Sequence, residues 1–232
     1  MYLKSTIIGC IVGASGTLLG GILAMLIGKK VMAPRPFLAF AGGMMVAVVF
    51  FDMLIESVEL GGIVVMAGGT VIGGVLFAML SPFFSHKEEH TLYSTGMLVL
   101  IGIAFHNLPE GLAIGSALVE SEHRAFSLSL LMLVHDIPEG VAVCLPFRLS
   151  GMSFSKMLWL AFLTGMPTAL GSVLGTAVGT ISQEMIALCI SFAGGAMLYI
   201  SLKELIPAAG KKNRMLYALL GLGAGFIMTT FI

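Results

Sequence analysis

Two short segments with nearly the same residues lie inside long apolar stretches of this chain. Residues 106–111 read His-Asn-Leu-Pro-Glu-Gly, and residues 135–140 read His-Asp-Ile-Pro-Glu-Gly, 29 positions later. Ionisable side chains are costly in apolar surroundings, so two matched segments of this kind predict a shared polar site. The chemistry open to such a site is metal binding, proton transfer or catalysis. We call the two segments the first and second box.

Helical spacing places the chemically active side chains of each box on one face. Because residues i and i+4 share a face of a helix, the histidine and the glutamate of a box point the same way. The residue that follows each histidine lies about 100° further round. Imidazole, carboxylate and amide groups together supply the nitrogen and oxygen ligands and the negative charge that a divalent cation requires. The candidate metal ligands are His106, Asn107, Glu110, His135, Asp136 and Glu139.

Each box also carries a proline, Pro109 or Pro138. Proline has no N–H to donate and crowds the carbonyl four residues earlier, so we expect a kink in both helices. Such kinks would free carbonyl oxygens at mid-depth, a recurring device of transporters.

The composition predicts an all-α integral membrane protein that forms a single domain over residues 1–232. Hydrophobic residues make up 58% of the chain and charged residues 10%, against about 25% charged residues in soluble domains. The 30 glycines suit closely packed membrane helices. The first apolar stretch is interpreted as a spanning helix and not as a signal peptide. The three cysteines (Cys10, Cys144 and Cys189) are interpreted as buried free thiols.

The apolar stretches predict eight membrane-spanning helices. Gly, Lys, Ser and Pro residues mark the breaks between them, and the weakest break lies between the second and third helices. The predicted limits are about 5–28, 36–58, 61–81, 93–119, 125–147, 154–180, 185–206 and 213–231.

The basic residues predict the orientation of these helices. Nine of the twelve fall on one side, which the positive-inside rule makes cytoplasmic, so both termini are predicted to be extracytoplasmic. Lys4 and Arg124 fall on the other side, and Lys203 lies within the seventh predicted helix. Five acidic residues are predicted on the outer side. They form either an acidic entrance that raises the local concentration of cations or a set of unrelated surface charges. These acids are Glu56, Glu59, Glu120, Glu122 and Glu184.

With an H-N-x-P-E-G box in its fourth predicted helix and an H-D-x-P-E-G box in its fifth, the chain resembles the ZIP family of divalent-metal transporters over essentially its whole length. The resemblance implies that the six candidate ligands form a transport site for uptake into the cytosol, without ATP and without a cofactor. Zn²⁺ is the first expectation, with Cd²⁺, Fe²⁺, Mn²⁺, Co²⁺ and Ni²⁺ as alternatives. The resemblance also implies a homodimer in the cell membrane, in contact with lipid and with no nucleotide or nucleic-acid partner.

A second repeat accompanies the boxes. Phe-Ala-Gly-Gly at residues 40–43 recurs at residues 192–195, and the offset of 152 also relates Met45 to Met197. Under the predicted orientation the two copies run in opposite directions through the membrane, as in many transporter folds. This inverted repeat fits the 3+2+3 helix arrangement that the resemblance implies, with the two boxes at the centre.

The same offset relates Asp52 to Glu204, and we interpret these acids as carboxylates on the access and release routes. Asp52 shares a helical face with Glu56 and Glu59 at spacings of i, i+4 and i+7. An acid at a helix end is the alternative for both members of the pair. Met45 and Met197 would offer thioether contacts to a soft cation, although most of the 17 methionines must be apolar fillers.

One segment departs from the family pattern. Residues 165–171 read Gly-Met-Pro-Thr-Ala-Leu-Gly, where many ZIP proteins have a glutamate at the position of Thr168. Threonine supplies no charge to hold a second cation, so this chain is predicted to bind one metal ion at the boxes. His86 and His90, in the short loop between the third and fourth predicted helices, are interpreted as part of a polar turn.

Two other functions use the same residue types. A membrane-embedded metal-dependent hydrolase would need a metal-activated water and a general base, and proteases of this kind often carry H-E-x-x-H, which the chain lacks. A proton-coupled carrier of another substrate could use the His/Glu pairs as a relay. The metal-transporter interpretation, which is not that of an enzyme, accounts for both boxes at once.

Overall fold

A computed structural model describes residues 1–30, 35–84, 92–179 and 182–231. Every regular element in these ranges is helical, which confirms the predicted all-α class. His86 and His90, predicted to belong to a polar turn, lie outside the described residues.

A π-helical turn follows α2 and another follows α7. The elements are α1 (Tyr2–Lys30), α2 (Pro36–Val48), a first π-turn (Val49–Met53), α3 (Leu54–Phe84), α4 (Leu92–Glu120), α5 (Glu122–Leu149), α6 (Phe154–Val178), α7 (Gln183–Ile200), a second π-turn (Ser201–Leu205), α8 (Ile206–Ala208) and α9 (Arg214–Phe231).

Six helical segments within the described residues are long and apolar enough to cross a membrane, so the chain is a multi-pass membrane protein. One of them, Pro36–Phe83, has 48 residues. At about 1.5 Å per residue it is roughly 72 Å long, more than twice the thickness of a bilayer core. Gly62 interrupts it with non-helical angles, φ 78° and ψ 169°. The observed break thus lies one residue beyond the predicted gap between residues 58 and 61, at a glycine that adopts a left-handed φ.

The helices pack as two groups. α1, α4, α5 and α6 pack on one another and form what we call the site bundle. In the flanking bundle, which holds α2, α3, α7, α8, α9 and both π-turns, α2 packs mainly on α9 and α3 mainly on α7. The two bundles meet where α4 contacts α7 and where α2 contacts α5.

Glycines set the closest approaches inside the site bundle. A Cβ on Gly13 of α1 would overlap the carbonyl oxygen of Gly165 on α6, and a Cβ on Gly165 would overlap that of Gly13. Gly140 of α5 meets the backbone of Thr17 in the same way. Because small residues let helix backbones touch in lipid, these contacts hold α1 closely against both α5 and α6.

The flanking bundle uses the same kind of contact, and two of its examples are related by the sequence repeat. Gly73 of α3 lies against the carbonyl of Phe192 in α7, and Gly221 of α9 lies against the carbonyl of Phe40 in α2. Phe40 and Phe192 are 152 positions apart, the offset found in the sequence. The two π-turns, Val49–Met53 and Ser201–Leu205, have the same offset. Equivalent packing and equivalent backbone irregularities thus recur in the two halves of the chain.

Contacts between the bundles have a different character. Gly102 of α4 faces α7 and α3, but a Cβ there would meet only the side-chain tips of Ile200 and Phe77. Within the described residues, the glycines that touch the backbone of another helix all do so inside one bundle. The bundles are therefore locked internally by backbone contacts, whereas side chains pack the surface between them.

Candidate metal centre

The two boxes lie near the middle of two long neighbouring helices. His106 and Glu110 are one turn apart on α4, and His135 and Glu139 are one turn apart on α5. All four side chains are buried, with 1–7% of their residue surface exposed. Contact between α4 and α5 brings the two box faces together.

Glu139 lies at the centre of the resulting cluster. Its Oε1 is 3.3 Å from Nε2 of His106 and 3.7 Å from Nε2 of His135. The two imidazole rings are tilted, with centroids 5.6 Å apart. One ligand atom from each of these three residues fits within 4.8 Å of the others, a geometry that suits a single metal ion. Glu110 Oε1 adds a fourth candidate, 3.2 Å from His106 Nε2.

These ligand-type atoms lack hydrogen-bond partners. Both ring nitrogens of His106, Nε2 of His135 and both carboxylate oxygens of Glu139 are buried without one among the described residues. Buried polar groups are normally hydrogen-bonded, and a buried carboxylate is costly unless a cation compensates it. These nitrogen and oxygen atoms face one another but do not form hydrogen bonds. Such an arrangement is expected of atoms that ligate a metal ion.

Asn107 and Asp136 contact α6 and α1, respectively. The amide Nδ2 of Asn107 donates a 2.8 Å hydrogen bond to the carbonyl of Thr164 in α6. The Asp136 side chain lies beside Gly16 of α1, and its carboxylate oxygens have no hydrogen-bond partner among the described residues. Three of the six predicted ligands therefore converge, and Glu110 approaches His106 beside them. Asn107 and Asp136 lie beside α6 and α1.

Asp52 reaches the cluster from the flanking bundle. It belongs to the first π-turn, and its Oδ2 lies 3.3 Å from Nδ1 of His135. Sequence reasoning placed Asp52 on an access route but missed this contact. Two sequence signals singled out Asp52, its place in the 152-residue repeat and its shared face with Glu56 and Glu59. Neither signal reports contacts between helices.

A cavity of about 290 Å³ opens from the cluster. Four carboxylates line it, and no lysine or arginine does so among the described residues. Asp52, with 31% of its side chain exposed, lines the cavity beside His135. Such a one-signed lining raises the local concentration of cations. The acidic and imidazole side chains on the wall are Asp52, Glu56, Glu59, His106, Glu110 and His135.

The remaining sequence-predicted residues lie elsewhere. Met45 and Met197 are buried in the hydrophobic core, and neither lines the cavity in the part of the chain that the structure describes. Glu204 accepts a 3.0 Å hydrogen bond from the Ser81 hydroxyl. It lines a separate cavity of about 350 Å³, whose wall also includes Arg35 and Lys203.

Comparison with known proteins identifies the family of the chain. Residues 85–232 match the family described as ZIP zinc transporter. The chain is 30% identical over 236 residues to the zinc transporter ZupT of Corynebacterium aurimucosum, an alignment that covers 90% of this chain and 88% of that protein. It is 28% identical to the zinc transporter ZIPB of Bordetella bronchiseptica, over 100% of this chain and 81% of that one. It is 29% identical to the zinc transporter GufA of Myxococcus xanthus, over 70% and 68%. The chain therefore belongs to the ZIP family, whose members are transporters rather than enzymes.

Proposed function

We propose that this protein carries a divalent cation, Zn²⁺ first, across the cytoplasmic membrane into the cytosol without ATP. The observation that carries the proposal is the buried cluster around Glu139, which opens to a cavity with an acidic wall. Two imidazoles and two carboxylates suit zinc, and they also suit Cd²⁺, Fe²⁺, Mn²⁺, Co²⁺ and Ni²⁺. The relatives' names as zinc transporters favour Zn²⁺ among these ions.

The cluster is proposed to hold one metal ion. His106, His135 and Glu139 converge on a single position. Thr168 is buried against Gly13 of α1 and brings no charge to that part of the site bundle. A second cation beside Asn107 and Asp136 would therefore lack one of the carboxylates needed to compensate it.

Eight spans with extracytoplasmic termini form the proposed topology. Division of Pro36–Phe83 at Gly62 supplies the seventh span, and the shorter apolar helix Arg214–Thr230 supplies the eighth. The recurrence of glycine contacts and π-turns at the 152-residue offset supports an inverted repeat in a 3+2+3 arrangement. Lys4 and Glu122 form an ion pair, which puts the N-terminus and the α4–α5 connection at one end of the molecule. The homodimer implied by family resemblance remains part of the proposal.

Transport is proposed to move the site bundle relative to the flanking bundle. Interiors held by backbone contacts move as rigid units, and a surface packed by side chains permits small sliding displacements. The acidic cavity at Asp52 serves as the access route. The cavity at Glu204, which Arg35 and Lys203 make less attractive to cations, is the proposed release side.

The surface between the bundles offers a test of this movement. Gly102→Ala would place a methyl group against Cδ1 of Ile200 and so overpack the observed arrangement. Overpacking costs about 1–3 kcal/mol, so the apparent KM for zinc should rise roughly 5-fold or more as the cation-accepting state is depopulated. Zinc uptake into vesicles, measured as a function of zinc concentration, checks this expectation.

Ile200→Val supplies the matched rescue, since it deletes the methyl group that the new Cβ would meet. The double variant should recover most of the lost apparent affinity. If Gly102→Ala lowered only the amount of folded protein and left KM unchanged, the surface between the bundles would not control the state of the site.

The function itself is tested with purified protein in liposomes. Labelled Zn²⁺ should enter the vesicles down its gradient with no nucleotide present, and the divalent ions named above should compete in an order that reports selectivity. Protein-free liposomes measure leakage. Absence of saturable zinc flux from protein that binds zinc would overturn the proposal, because the site would then bind the ion without moving it.

A further inference from the structure

The two imidazoles of the cluster differ in the surroundings of Nδ1, the ring nitrogen that does not face Glu139. His135 directs Nε2 toward Glu139 and Nδ1 toward Asp52, at 3.7 Å and 3.3 Å. His106 has no hydrogen-bond partner for its Nδ1 among the described residues. A histidine that ligates a metal through one nitrogen usually donates the other N–H to a carboxylate or carbonyl, which fixes the tautomer and the ring orientation. Only His135 has this arrangement in the described cluster.

The carboxylate that meets His135 comes from the other bundle. His135 belongs to α5 of the site bundle, whereas Asp52 belongs to the π-turn that joins α2 to α3 in the flanking bundle. A shift of one bundle against the other would therefore break this contact. The contacts of His106 with Glu110 and Glu139, by contrast, lie entirely within the site bundle.

The π-turn is the local feature that presents Asp52. A π-turn accommodates one extra residue in a helix and so turns the side chains beyond it by about 100° relative to those before it. Such turns are rare and are frequently found at functional sites. Here the turn holds the carboxylate that, among the described residues of the flanking bundle, pairs with a box histidine.

We propose that Asp52 is a positioning residue that strengthens metal binding by His135 only while the two bundles stand in the observed arrangement. By accepting the Nδ1 proton of His135, Asp52 leaves Nε2 free to ligate the cation and raises the basicity of the ring. When the site bundle moves, His135 loses this acceptor and the site holds the cation less tightly. The inference rests on the proposed transport function and adds the reason why affinity would differ between the two states.

The test measures zinc affinity at equilibrium, by competition with a chelator, in detergent-solubilised protein. Asp52→Ala should weaken zinc binding about 10-fold to 100-fold, the usual cost of losing the outer-shell partner of a metal-bound histidine. Asp52→Asn keeps an acceptor oxygen without the charge and should bind more tightly than Asp52→Ala. In the His135→Ala background, Asp52→Ala should have almost no further effect, because its action passes through the missing ring.

A spectroscopic measurement separates positioning from a general structural effect. Co²⁺ bound in place of Zn²⁺ absorbs visible light in a way that depends on its ligand number and geometry. Asp52→Ala should change this spectrum by altering how His135 ligates the ion. Glu59→Gln, which removes a cavity carboxylate that is exposed, should leave the spectrum unchanged and should add independently to His135→Ala.

Two results would overturn the inference. One is equal zinc affinity in Asp52→Ala and Asp52→Asn together with additive effects of Asp52→Ala and His135→Ala, since Asp52 would then act only as a cavity charge. The other is an unchanged Co²⁺ spectrum in Asp52→Ala. Both measurements use binding at equilibrium, so they remain decisive even if vesicle experiments show no zinc flux and the proposed transport function fails.

Discussion

Replacement of Glu139 by alanine is expected to reduce zinc uptake by at least about 100-fold. Among the described residues, Glu139 is the carboxylate that pairs with both box histidines, through the same Oε1 atom. The variant removes a ligand and leaves two buried imidazoles without the negative charge that lets a dication enter. Loss of an outer-shell partner alone costs about 10-fold to 100-fold in metal sites, and loss of a shared ligand should exceed that range.

Initial uptake rates and equilibrium zinc affinity together check this expectation. Glu110→Ala gives a graded comparison, because Glu110 approaches His106 alone and its loss should cost less. Glu120→Ala is the control, since Glu120 is an exposed glutamate at the end of α4, the helix that carries Glu110, and it pairs with Arg124. Uptake by that variant should stay within about 2-fold of the parent protein, as for most exposed ion pairs. If folded Glu139→Ala protein took up zinc at the wild-type rate, the cluster around Glu139 would not be the transport site.

The composition and the boxes were enough to predict the class of fold and the family. Spacing of i and i+4 puts His106 with Glu110 and His135 with Glu139 whatever the rest of the chain does. The predicted fourth helix, 93–119, differs from the observed Leu92–Glu120 by one residue at each end. Helix limits and shared helical faces depend on the local order of residues and on long apolar stretches, so they can be predicted from the sequence alone.

Contacts between helices could not be predicted in the same way. Asn107 and Asp136 were predicted as ligands from their place in the boxes, and their contacts with Thr164 and Gly16 could not be predicted with them. These contacts depend on the rotation of α4 and α5, which glycine contacts such as Gly140 against Thr17 help to set. Periodicity specifies which residues share a face and leaves open which neighbour that face meets.

Backbone irregularities were the other source of difference. The residue at which the helix from Pro36 breaks, Gly62, is one of several glycines in that stretch, and only its left-handed φ distinguishes it. The π-turns were equally hidden, because one extra residue in a helix leaves no mark in an apolar sequence. Their offset of 152 nevertheless follows the repeat that relates Asp52 to Glu204. The repeat therefore related two equivalent segments of the chain but did not predict that both would be π-turns.

Gly73→Val is expected to destroy most of the folded protein, because Gly73 lies where α3 meets α7. A Cβ at this position would overlap the carbonyl carbon and oxygen of Phe192, and backbone atoms cannot rotate away as a side-chain tip can. Overpacking usually costs about 1–3 kcal/mol, and a clash with backbone should reach or exceed the upper end. A loss of about 3 kcal/mol would lower Tm by roughly 6–12 °C in a chain of this length.

Gly68→Val provides a control on the same helix with the same substitution. Gly68 is exposed, and a Cβ there would meet nothing within 4 Å. Valine is also a better helix former than glycine, so this variant should fold with unchanged or slightly higher thermal stability. The yield of folded protein in membranes and Tm in detergent measure both variants side by side. Equal stability of the two would mean that glycine contacts with backbone do not hold α3 to α7. The distinction between rigid bundles and the sliding surface between them would then lose its physical basis, because the contact at Gly102 differs from that at Gly73 only in meeting side chains.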